Sequence, residues 1–327
     1  MSGDEFKFIE VPGTLFSYGK YSHTHRATLL IKDYFELQAE IQCDSDIRTA
    51  FNSLLNNEKG LVVTPLFNNT DNKAIAGTIE NLRQFGRRLK PIGKFRMRIE
   101  NNLFSDLPST KGITRTYTHP QIFLQCEEWL KKNLSKAQQI VIWPGPPVTA
   151  MKFSEWKLSP QKISGTEAYT SGSCARYVIE EGLKNVGVIG TRDMGKDFGL
   201  NMVAEGIETN KSNATDFLLI ASSTFKVDCE ESLHLFFVRS LSGDQRNVLH
   251  AIKKGLYSYP TILINILAPL PTAETLSVGA YNYLLEIDTA GQIIFSAEIG
   301  EALIGIDEVI VDCECLGTYG LLLSEGE

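Results

Sequence analysis

The feature that most limits the fold is an alternation of short apolar runs and amphipathic stretches between residues 113 and 222. ITRTYT, QQIVIWP and NVGVIG have the length and β-branched content of buried strands. HPQIFLQCEEWLKKNL and SGSCARYVIEEGL, which lie between those runs, place apolar residues at helical spacing. Strands that alternate with helices predict a parallel sheet with right-handed crossovers. NATDFLLIAS, at 213–222, then predicts a strand that returns after this series is complete.

A similar alternation before residue 110 predicts a first lobe. The two series together predict an α/β body of two lobes with a cleft between them, in which lobe 1 comprises about 1–110 plus 213–228 and lobe 2 about 111–212. After residue 228 the order changes to β-α-β-β-α-β, which is typical of a ferredoxin-like module. We therefore expect two domains, 1–228 and 229–327.

Composition argues against several kinds of partner. A net charge of −7 and the lack of clustered Lys and Arg argue against nucleic acid. No apolar run approaches the roughly 18 residues of a membrane helix, and the acidic start MSGDEFKFIE does not resemble a signal peptide. Neither a nucleotide-binding glycine motif nor a third ligand beside His23 and His25 is found, so no cofactor and no metal are expected. These features predict a cytoplasmic protein that acts on a small molecule.

Polar residues stand at three predicted helix starts of lobe 2. Thr118 precedes one helix, Thr170 and Ser171 open another, and Thr191 opens a third. Ligands of open α/β sheets bind beyond the carboxyl ends of the strands, where helix N-termini present free N–H groups. The sequence therefore predicts an anion site among these helix starts. His119, beside the first of them, is a candidate hydrogen-bond donor, although a role in the turn is the commoner explanation.

The order and spacing of several segments resemble the prephenate dehydratase family. In the N-terminal lobe, VPGTLFS corresponds to the family's G-P-x-G-T-F-S. TPLFNN corresponds to the family's P-x-E-N-S, with Phe67 and Asn69 in place of Glu and Ser. The resemblance implies a body like a periplasmic binding protein, followed by an ACT domain through which the chain forms a homodimer or a homotetramer. The other segments that carry it are THPQIFLQC, YTSGSCARYVIEEG, VGVIGTRDMGKDFGL and NATDFLLIAS.

The resemblance implies an activity and a set of site residues. Family members convert prephenate to phenylpyruvate with loss of carbon dioxide and water, and the proton donor of their N-x-T-R-F motif matches Thr215. That reaction needs a pocket that holds two carboxylates and orients the ring. The residues expected to bind the substrate are Asn68, Thr170, Ser171, Arg176, Thr191, Arg192, Asn213, Asp216 and Phe217.

Asp216 stands where the family motif has Arg. A carboxylate beside a dianionic substrate would replace attraction by repulsion, at a cost of several kcal/mol at roughly 4 Å. Arg176, Arg192 or Lys211 could compensate. Alternatively, Asp216 points out of the cleft, binds an amine such as that of arogenate, or marks a changed reaction. Two alternatives to a lyase of specialised metabolism therefore remain. One is an enzyme that decarboxylates prephenate without dehydration, and the other is a non-catalytic ligand sensor.

The predicted control module also departs from the family. GDQR at 243–246 and APLP at 268–271 replace the G-A-L-V and E-S-R-P segments that hold phenylalanine in relatives. The segments lack the acidic and basic pair that would bind the charged ends of an amino acid. We expect weak or absent phenylalanine feedback and a module kept for assembly.

Overall fold

The structure of the chain is a computed structural model that describes residues 6–70, 73–143, 148–158, 170–229, 233–257, 259, 263–270, 281–289, 296–304, 306 and 309–324. Strands and helices alternate in its first segment, as the sequence predicts. The elements of this segment are β1 (Lys7–Phe8), β2 (Thr14–Tyr18), α1 (His23–Tyr34), β3 (Glu40–Asp44), α2 (Ile47–Leu55), β4 (Gly60–Asn68), β5 (Lys73–Ala74), α3 (Ala76–Phe85) and β6 (Leu89–Arg98).

Side-chain caps fix where the first two helices begin. Ser22 Oγ accepts a hydrogen bond from the backbone N–H of His25 at 3.1 Å, which starts α1. Asp46 Oδ1 accepts from the N–H of Thr49 at 2.8 Å, which starts α2. Both helices therefore begin at defined residues, and both starts lie at the edge of the cavity described below.

The second segment repeats the alternation. The predicted helix 119–134 is two helices, because the backbone at Cys126 leaves helical geometry (φ −105°, ψ 9°). The elements here are β7 (Asn102–Ser105), β8 (Arg115–Tyr117), α4 (Pro120–Gln125), α5 (Glu127–Asn133), β9 (Gln138–Trp143), β10 (Thr149–Lys152), α6 (Phe153–Leu158), α7 (Ser171–Glu180), β11 (Val186–Gly190), α8 (Arg192–Phe198) and β12 (Asn201–Ala204).

This second segment forms a six-stranded sheet of order β10-β9-β8-β11-β7-β12. β8, β9 and β11 are parallel, as predicted, but β7, β10 and β12 pair antiparallel, so the sheet is mixed. The three strands from which the parallel sheet was predicted are therefore parallel, and the antiparallel strands β7, β10 and β12 were not predicted. Because β7 already belongs to this sheet, the chain enters lobe 2 between residues 98 and 102, earlier than the expected boundary near 110.

The chain then returns and enters the C-terminal module. Two strands, β13 (Ala214–Ser222) and β14 (Val227–Asp228), complete lobe 1. In the residues that the structure describes, the elements of the module follow the predicted β-α-β-β-α-β order. The elements of the module are β15 (Leu233–Ser240), α9 (Gln245–Gly255), β16 (Leu263–Leu270), β17 (Tyr281–Asp288), α10 (Ser296–Leu303) and β18 (Ile310–Ser324).

Across the described helices of the whole chain, none combines the length and the apolar character needed to cross a bilayer.

One long strand joins the module to lobe 1. β18 pairs antiparallel with β15 as far as Tyr319 and then parallel with β6 from Gly320 onward. The result is a ten-stranded sheet in the order β16-β17-β15-β18-β6-β13-β4-β2-β3, with β5 beside β4. Gly317 has φ +143°, and a Cβ there would lie 2.4 Å from Cδ of Pro91, so the crossing requires glycine.

The sheet also shares its apolar core between the two parts of the chain. Phe51 and Leu54 of α2 belong to one buried cluster with Leu235, Leu284 and Leu316 of the module. Since burial of apolar side chains is the main stabilising contribution to folding, lobe 1 and the module stabilise each other directly. The six-stranded sheet has separate apolar clusters of its own.

A buried ion pair lies where lobe 1 and the module meet. Lys94 Nζ on β6 contacts both carboxylate oxygens of Glu286 on β17, at 2.7 and 2.5 Å. The hydroxyl of Tyr319 donates to the same carboxylate at 2.8 Å. The side chains of Lys94 and Glu286 are 11% and 4% exposed, so neither charge is well solvated. Removal of either partner would leave a buried charge without compensation.

We therefore predict that Glu286→Ala lowers the free energy of unfolding by about 3–5 kcal/mol, the usual cost of breaking a buried pair. Urea titration followed by circular dichroism measures the change. Lys131→Ala is the matched control, because Lys131 pairs with Glu127 at 3.2 Å while 69% of its side chain is exposed; its effect should stay within about 0.5 kcal/mol. Equal effects of the two variants would contradict this assignment.

Candidate functional site

A cavity of about 300 Å³ lies between the two lobes. Apolar side chains from both lobes form part of its wall, and hydroxyl, amide and imidazole groups form the rest. Among the described residues of the wall, none is Lys, Arg, Asp or Glu. The lining residues are Tyr18, Ser22, His23, Thr24, Ile47, Pro65, Asn68, Ile75, Ile99, His119, Gln121, Ile122, Gln125, Thr170, Ser171, Thr215 and Phe217.

Three long helices begin at this cavity. The first residues of α1, α2 and α7, which are His23, Ile47 and Ser171, all belong to its wall. Thr170 caps α7 by accepting from the N–H of Ser173 at 3.3 Å. Helix N-termini carry a partial positive charge and free N–H groups, so they favour an anionic ligand. The cavity can thus attract an anion although the described part of its wall contains no cationic side chain.

Thr215 lies in the wall with its hydroxyl oriented by an amide. Nδ2 of Asn68 is 2.9 Å from Oγ of Thr215, and the two side chains are only 2% and 7% exposed. Because an amide nitrogen can only donate, the threonine oxygen accepts this bond. The hydrogen of the Thr215 hydroxyl is therefore available for a ligand in the cavity.

Asn213 holds the side chain of Asn68 in this position. Its side chain is fully buried, and its Oδ1 accepts a hydrogen bond from Nδ2 of Asn68 at 3.0 Å. Asn213 is absent from the described cavity wall, so the expectation that it binds substrate directly is corrected. The amide instead positions Asn68, which in turn positions Thr215.

Successive residues of β13 point to opposite faces of the sheet. Phe217 lies in the cavity wall and stacks on Phe95, with ring centroids 5.5 Å apart. Asp216 faces the other way and accepts two hydrogen bonds from Arg96, from Nε at 2.7 Å and from Nη2 at 3.0 Å. Only 4% of the Asp216 side chain is exposed. The assignment of Asp216 to the substrate site was therefore wrong, because strand alternation turns it toward Arg96.

The candidate cations also lie away from the cavity wall. Arg176 is exposed on the outer face of α7. Arg192 pairs with Glu205, and Lys211 pairs with Glu208. Arg176 and Arg192 were expected to bind substrate, and neither belongs to the described lining. Arg176 thus points toward solvent and Arg192 toward a surface carboxylate.

Two of the threonines expected at helix starts hold the backbone together instead. Thr118 Oγ1 donates to the carbonyl of Ile189 at 2.8 Å, and Thr191 Oγ1 donates to the carbonyl of Tyr21 at 3.2 Å. Both side chains are buried, and neither belongs to the described lining. Thr191, which was expected to bind substrate, instead makes a contact between the lobes. Thr170 and Ser171 do lie in the wall.

Further contacts hold the lobes together beside the cavity. The hydroxyl of Tyr21 donates to Asp197 at 2.5 Å, and Arg26 pairs with Asp193 at 3.0 Å. Tyr21 and Arg26 belong to lobe 1, whereas Asp193 and Asp197 lie on α8 of lobe 2. These side chains close one edge of the cleft.

Comparison with known proteins supports the family resemblance. The family model described as prephenate dehydratase matches residues 18–142. Prephenate dehydratase of Methanocaldococcus jannaschii is 23% identical over 84% of this chain and 87% of its own length. The chain is thus similar to prephenate dehydratases, in residues 18–142 by the family model and at low identity over most of its length.

Two further comparisons show the reach of the similarity. The bifunctional chorismate mutase/prephenate dehydratase of Neisseria gonorrhoeae is 28% identical over 53% of this chain, and the match spans 40% of the length of that enzyme. A solved prephenate dehydratase from Arthrobacter aurescens, in complex with L-Phe, has a TM-score of 0.65 at 18% identity. It covers 94% of this chain and 90% of its own. At that identity the structural match establishes the shared two-lobed fold.

In this prephenate dehydratase fold His119 caps a helix that opens at the cavity. Its Nδ1 accepts from the N–H of Gln121 at 3.3 Å, so His119, rather than the expected Thr118, is the cap of α4. Burial lowers the pKa of His119 to about 4. The ring is therefore neutral at neutral pH, with its hydrogen on Nε2. It can donate that hydrogen without carrying charge.

Sequence reasoning missed several lining residues. Tyr18, Ser22, Gln121 and Gln125 were not singled out, and His23 was weighed only as a metal ligand on a strand. The structure places His23 in α1, and within the described ranges no three His, Cys, Asp or Glu side chains gather as a metal site would require. The spacing of Ser22 and His25, which fits a capped helix start, is the signal that could have identified α1.

The orientation of Asp216 leads to a charge-swap prediction. Asp216→Arg, which introduces the residue of the family motif, would place two guanidinium groups together and lower the free energy of unfolding by at least about 3 kcal/mol. The double variant with Arg96→Asp restores opposite charges and should recover part of that loss. Urea unfolding of both variants checks this, and a single variant as stable as the wild type would show that Asp216 faces elsewhere.

His119 predicts a dependence of stability on pH. The pKa of His119 is about 4 in the folded chain and near 6.5 when exposed. Since the unfolded chain binds the proton more readily, stability is complete above pH 6.5 and falls as the pH drops toward 4. His119→Asn keeps a capping acceptor and should flatten this loss. Urea midpoints measured between pH 4 and 7 provide the test, and an unchanged slope would contradict it.

Proposed function

We propose that the protein is a prephenate dehydratase-like lyase that converts prephenate, or a close analogue, to phenylpyruvate. The observation that supports this most directly is the Thr215 hydroxyl, which accepts a hydrogen bond from Asn68 and keeps its own hydrogen for the cavity. The proposed reaction needs a proton donor at the departing hydroxyl of the substrate. Thr215 is that donor in the proposal, and the enzyme needs no cofactor for this chemistry.

The cavity wall suits both ends of such a substrate. Phe217, Ile99 and Ile122 provide apolar surface for a ring. The starts of α1, α2 and α7 attract the two carboxylates, since free N–H groups there bind oxyanions. Thr170 and Ser171 lie at one of these starts and serve as donors. The polar groups at the cavity then hold the ring with its hydroxyl directed at Thr215.

The proposed reaction balances without an external redox partner. The bond from the ring to the carboxylate breaks and releases carbon dioxide, and its electron pair enters the ring. The bond from the ring to the hydroxyl breaks at the opposite carbon, and the leaving oxygen gains a proton through Thr215 to form water. One proton from solvent is consumed, which restores the Thr215 hydroxyl. Formation of the aromatic ring supplies the driving force.

Asp216 is compatible with this function in its observed position. The expected repulsion between Asp216 and a dianion requires the carboxylate to face the cavity. Its two hydrogen bonds with Arg96 place it on the opposite face of β13 and neutralise it. Loss of the motif arginine therefore supports neither the decarboxylase alternative nor the sensor alternative.

For residues 229–327 we propose an ACT-like role in assembly, as a homodimer or homotetramer, in a cytoplasmic enzyme of aromatic or specialised metabolism. The topology of the module supports this role. Two segments replace the motifs that hold phenylalanine in relatives. In the first of them, Arg246 pairs with Asp244 at the surface at 3.0 Å. The side chains of Ala268, Pro269 and Leu270, and all of Pro271, lie outside the described residues. Weak or absent phenylalanine feedback stays a prediction.

The proposed function predicts that Thr215→Ala lowers turnover of prephenate at least about a hundredfold, as loss of a general acid does. Thr215→Ser keeps the hydroxyl and is the matched control, with a rate within about tenfold of the wild type. Mass spectrometry identifies the product, and phenylpyruvate absorbance gives the rate. A product that retains the ring hydroxyl would indicate decarboxylation alone, and prephenate binding without turnover in the wild type would indicate a sensor.

A further inference from the structure

Two hydroxyl groups of the cavity wall have no partner within the described chain. Thr24 is the second residue of α1 in lobe 1, and Ser171 is the first residue of α7 in lobe 2. Both residues line the cavity, although only 4% of Thr24 and 3% of Ser171 is exposed. Neither hydroxyl bonds to a residue that the structure describes, and neither is among the described side-chain atoms that are both unpartnered and shielded from solvent. Each hydroxyl therefore keeps some accessible surface, and the cavity that both residues line provides it.

The backbone N–H groups of the same two residues are also free. The caps of α1 and α7 occupy the N–H groups of His25 and Ser173. The earlier N–H groups of Thr24 and Ser171 find no acceptor in the described chain, as is usual in the first turn of a helix. Each residue thus offers one backbone donor and one side-chain donor.

The starts of α1 and α7 lie against each other across the cleft. A Cβ on Gly172, the second residue of α7, would collide with the carbonyl oxygen of Lys20, and a Cβ on Gly19 would lie 2.6 Å from Cγ2 of Thr170. Glycine at both positions allows the loop before α1 to pack directly on the start of α7. The donors at the two helix starts therefore meet at the same end of the cavity.

We propose that Thr24 and Ser171 together bind one carboxylate of the ligand, each with its hydroxyl and its backbone N–H. An N–H group can only donate, and the partial positive charge of a helix start favours an acceptor that is anionic. A carboxylate has two oxygens, so one oxygen can face each lobe. That the carboxylate belongs to a ring compound such as prephenate rests on the proposed function, whereas the carboxylate itself is assigned from the donors.

Three substitutions on α1 test the hydroxyl of Thr24. Thr24→Val removes the hydroxyl and keeps the shape of the side chain, whereas Thr24→Ser keeps the hydroxyl. Thr28→Val is the matched control, because Thr28 is fully buried one turn further along α1 and is absent from the described cavity wall. Its hydroxyl donates to the carbonyl of Thr24 at 2.9 Å, so the control also removes one hydroxyl from the same helix. Circular dichroism establishes that the variants are folded.

The probes are phenylpyruvate and its neutral amide, which differ in the charge of the group that the helix starts would hold. Calorimetry should show that the wild type binds the carboxylate at least about tenfold more tightly, since hydrogen bonds to a charged group are stronger than those to a neutral one. Thr24→Val should lower this preference about threefold to tenfold, while Thr24→Ser and Thr28→Val should retain it.

A Thr24 that only supports the helix would weaken the binding of both probes alike and leave the preference in place. An unchanged preference in Thr24→Val, or no preference in the wild type, would overturn the assignment.

A double-mutant cycle tests whether the two hydroxyls share one carboxylate. Ser171→Ala should also lower the preference for phenylpyruvate over its amide. The loss in the double variant with Thr24→Val should be smaller than the product of the two single losses, because a carboxylate released on one side no longer holds its position on the other. Single losses that multiply would indicate two separate acceptor groups and would contradict the shared site.

A separate assay of phenylpyruvate formation from prephenate distinguishes this inference from the proposed function. Turnover by a wild-type protein whose carboxylate preference does not depend on Thr24 would overturn the shared site and leave the lyase reaction in place. A preference that depends on Thr24 and Ser171 in a protein that does not convert prephenate would support the shared site and overturn the reaction.

Discussion

The pleat of β13 is the constraint on which the site depends. Because side chains alternate along a strand, Thr215 and Phe217 reach the cavity only if Asp216 and Leu218 face the other side. That other side is the shared core of lobe 1 and the C-terminal module, to which Leu218 belongs. One strand thus carries the candidate proton donor on one face and a buried carboxylate with its cation on the other. A slip of one residue in its register would exchange the two faces and destroy both arrangements.

Much of the fold could be predicted because its signals are local. Many strands and helices of both lobes and of the module follow from periodicity and turn residues, and a cleft follows from their order, whereas β3, α3 and β6 of lobe 1 were not singled out. The antiparallel strands β7 and β12 could not be predicted in the same way. Each is only four residues long, and its pairing depends on how the chain crosses between the lobes. The length of β18 likewise depends on its contact with β6, which is distant in sequence.

The site was less predictable than the fold. The family motif predicts Thr215, a predicted helix start singles out Thr170 and Ser171, and all three lie in the cavity wall. The orientation of Asp216 follows from alternation once Thr215 is placed, but its partner Arg96 depends on strand register, which the sequence does not display. His23 and His25 were read with the period of a strand although they begin a helix. Side chains that depend on a tertiary neighbour were thus placed least well.

The cavity contrasts with its surroundings in the way charge is distributed. The polar part of its described wall consists of helix starts and neutral hydrogen-bond donors. The ion pairs Lys94–Glu286 and Arg96–Asp216 lie on the face of the ten-stranded sheet that points away from the cavity. Formal charges therefore contribute to the stability of the junction, and partial charges contribute to ligand attraction. Partial charges fixed in the backbone need no reorganisation when a ligand changes its own charge during reaction.

The continuous sheet also determines how the module is connected to the cavity. Since β18 pairs with β15 of the module and with β6 of lobe 1, these two parts share one ten-stranded sheet, and among the described strands those of the six-stranded sheet pair with neither part. The contacts from Tyr21 and Arg26 to α8 hold lobe 2 against lobe 1 beside the cavity. The described cavity lining contains no residue of the module, so the module can affect the cavity only through the sheet that it shares with lobe 1.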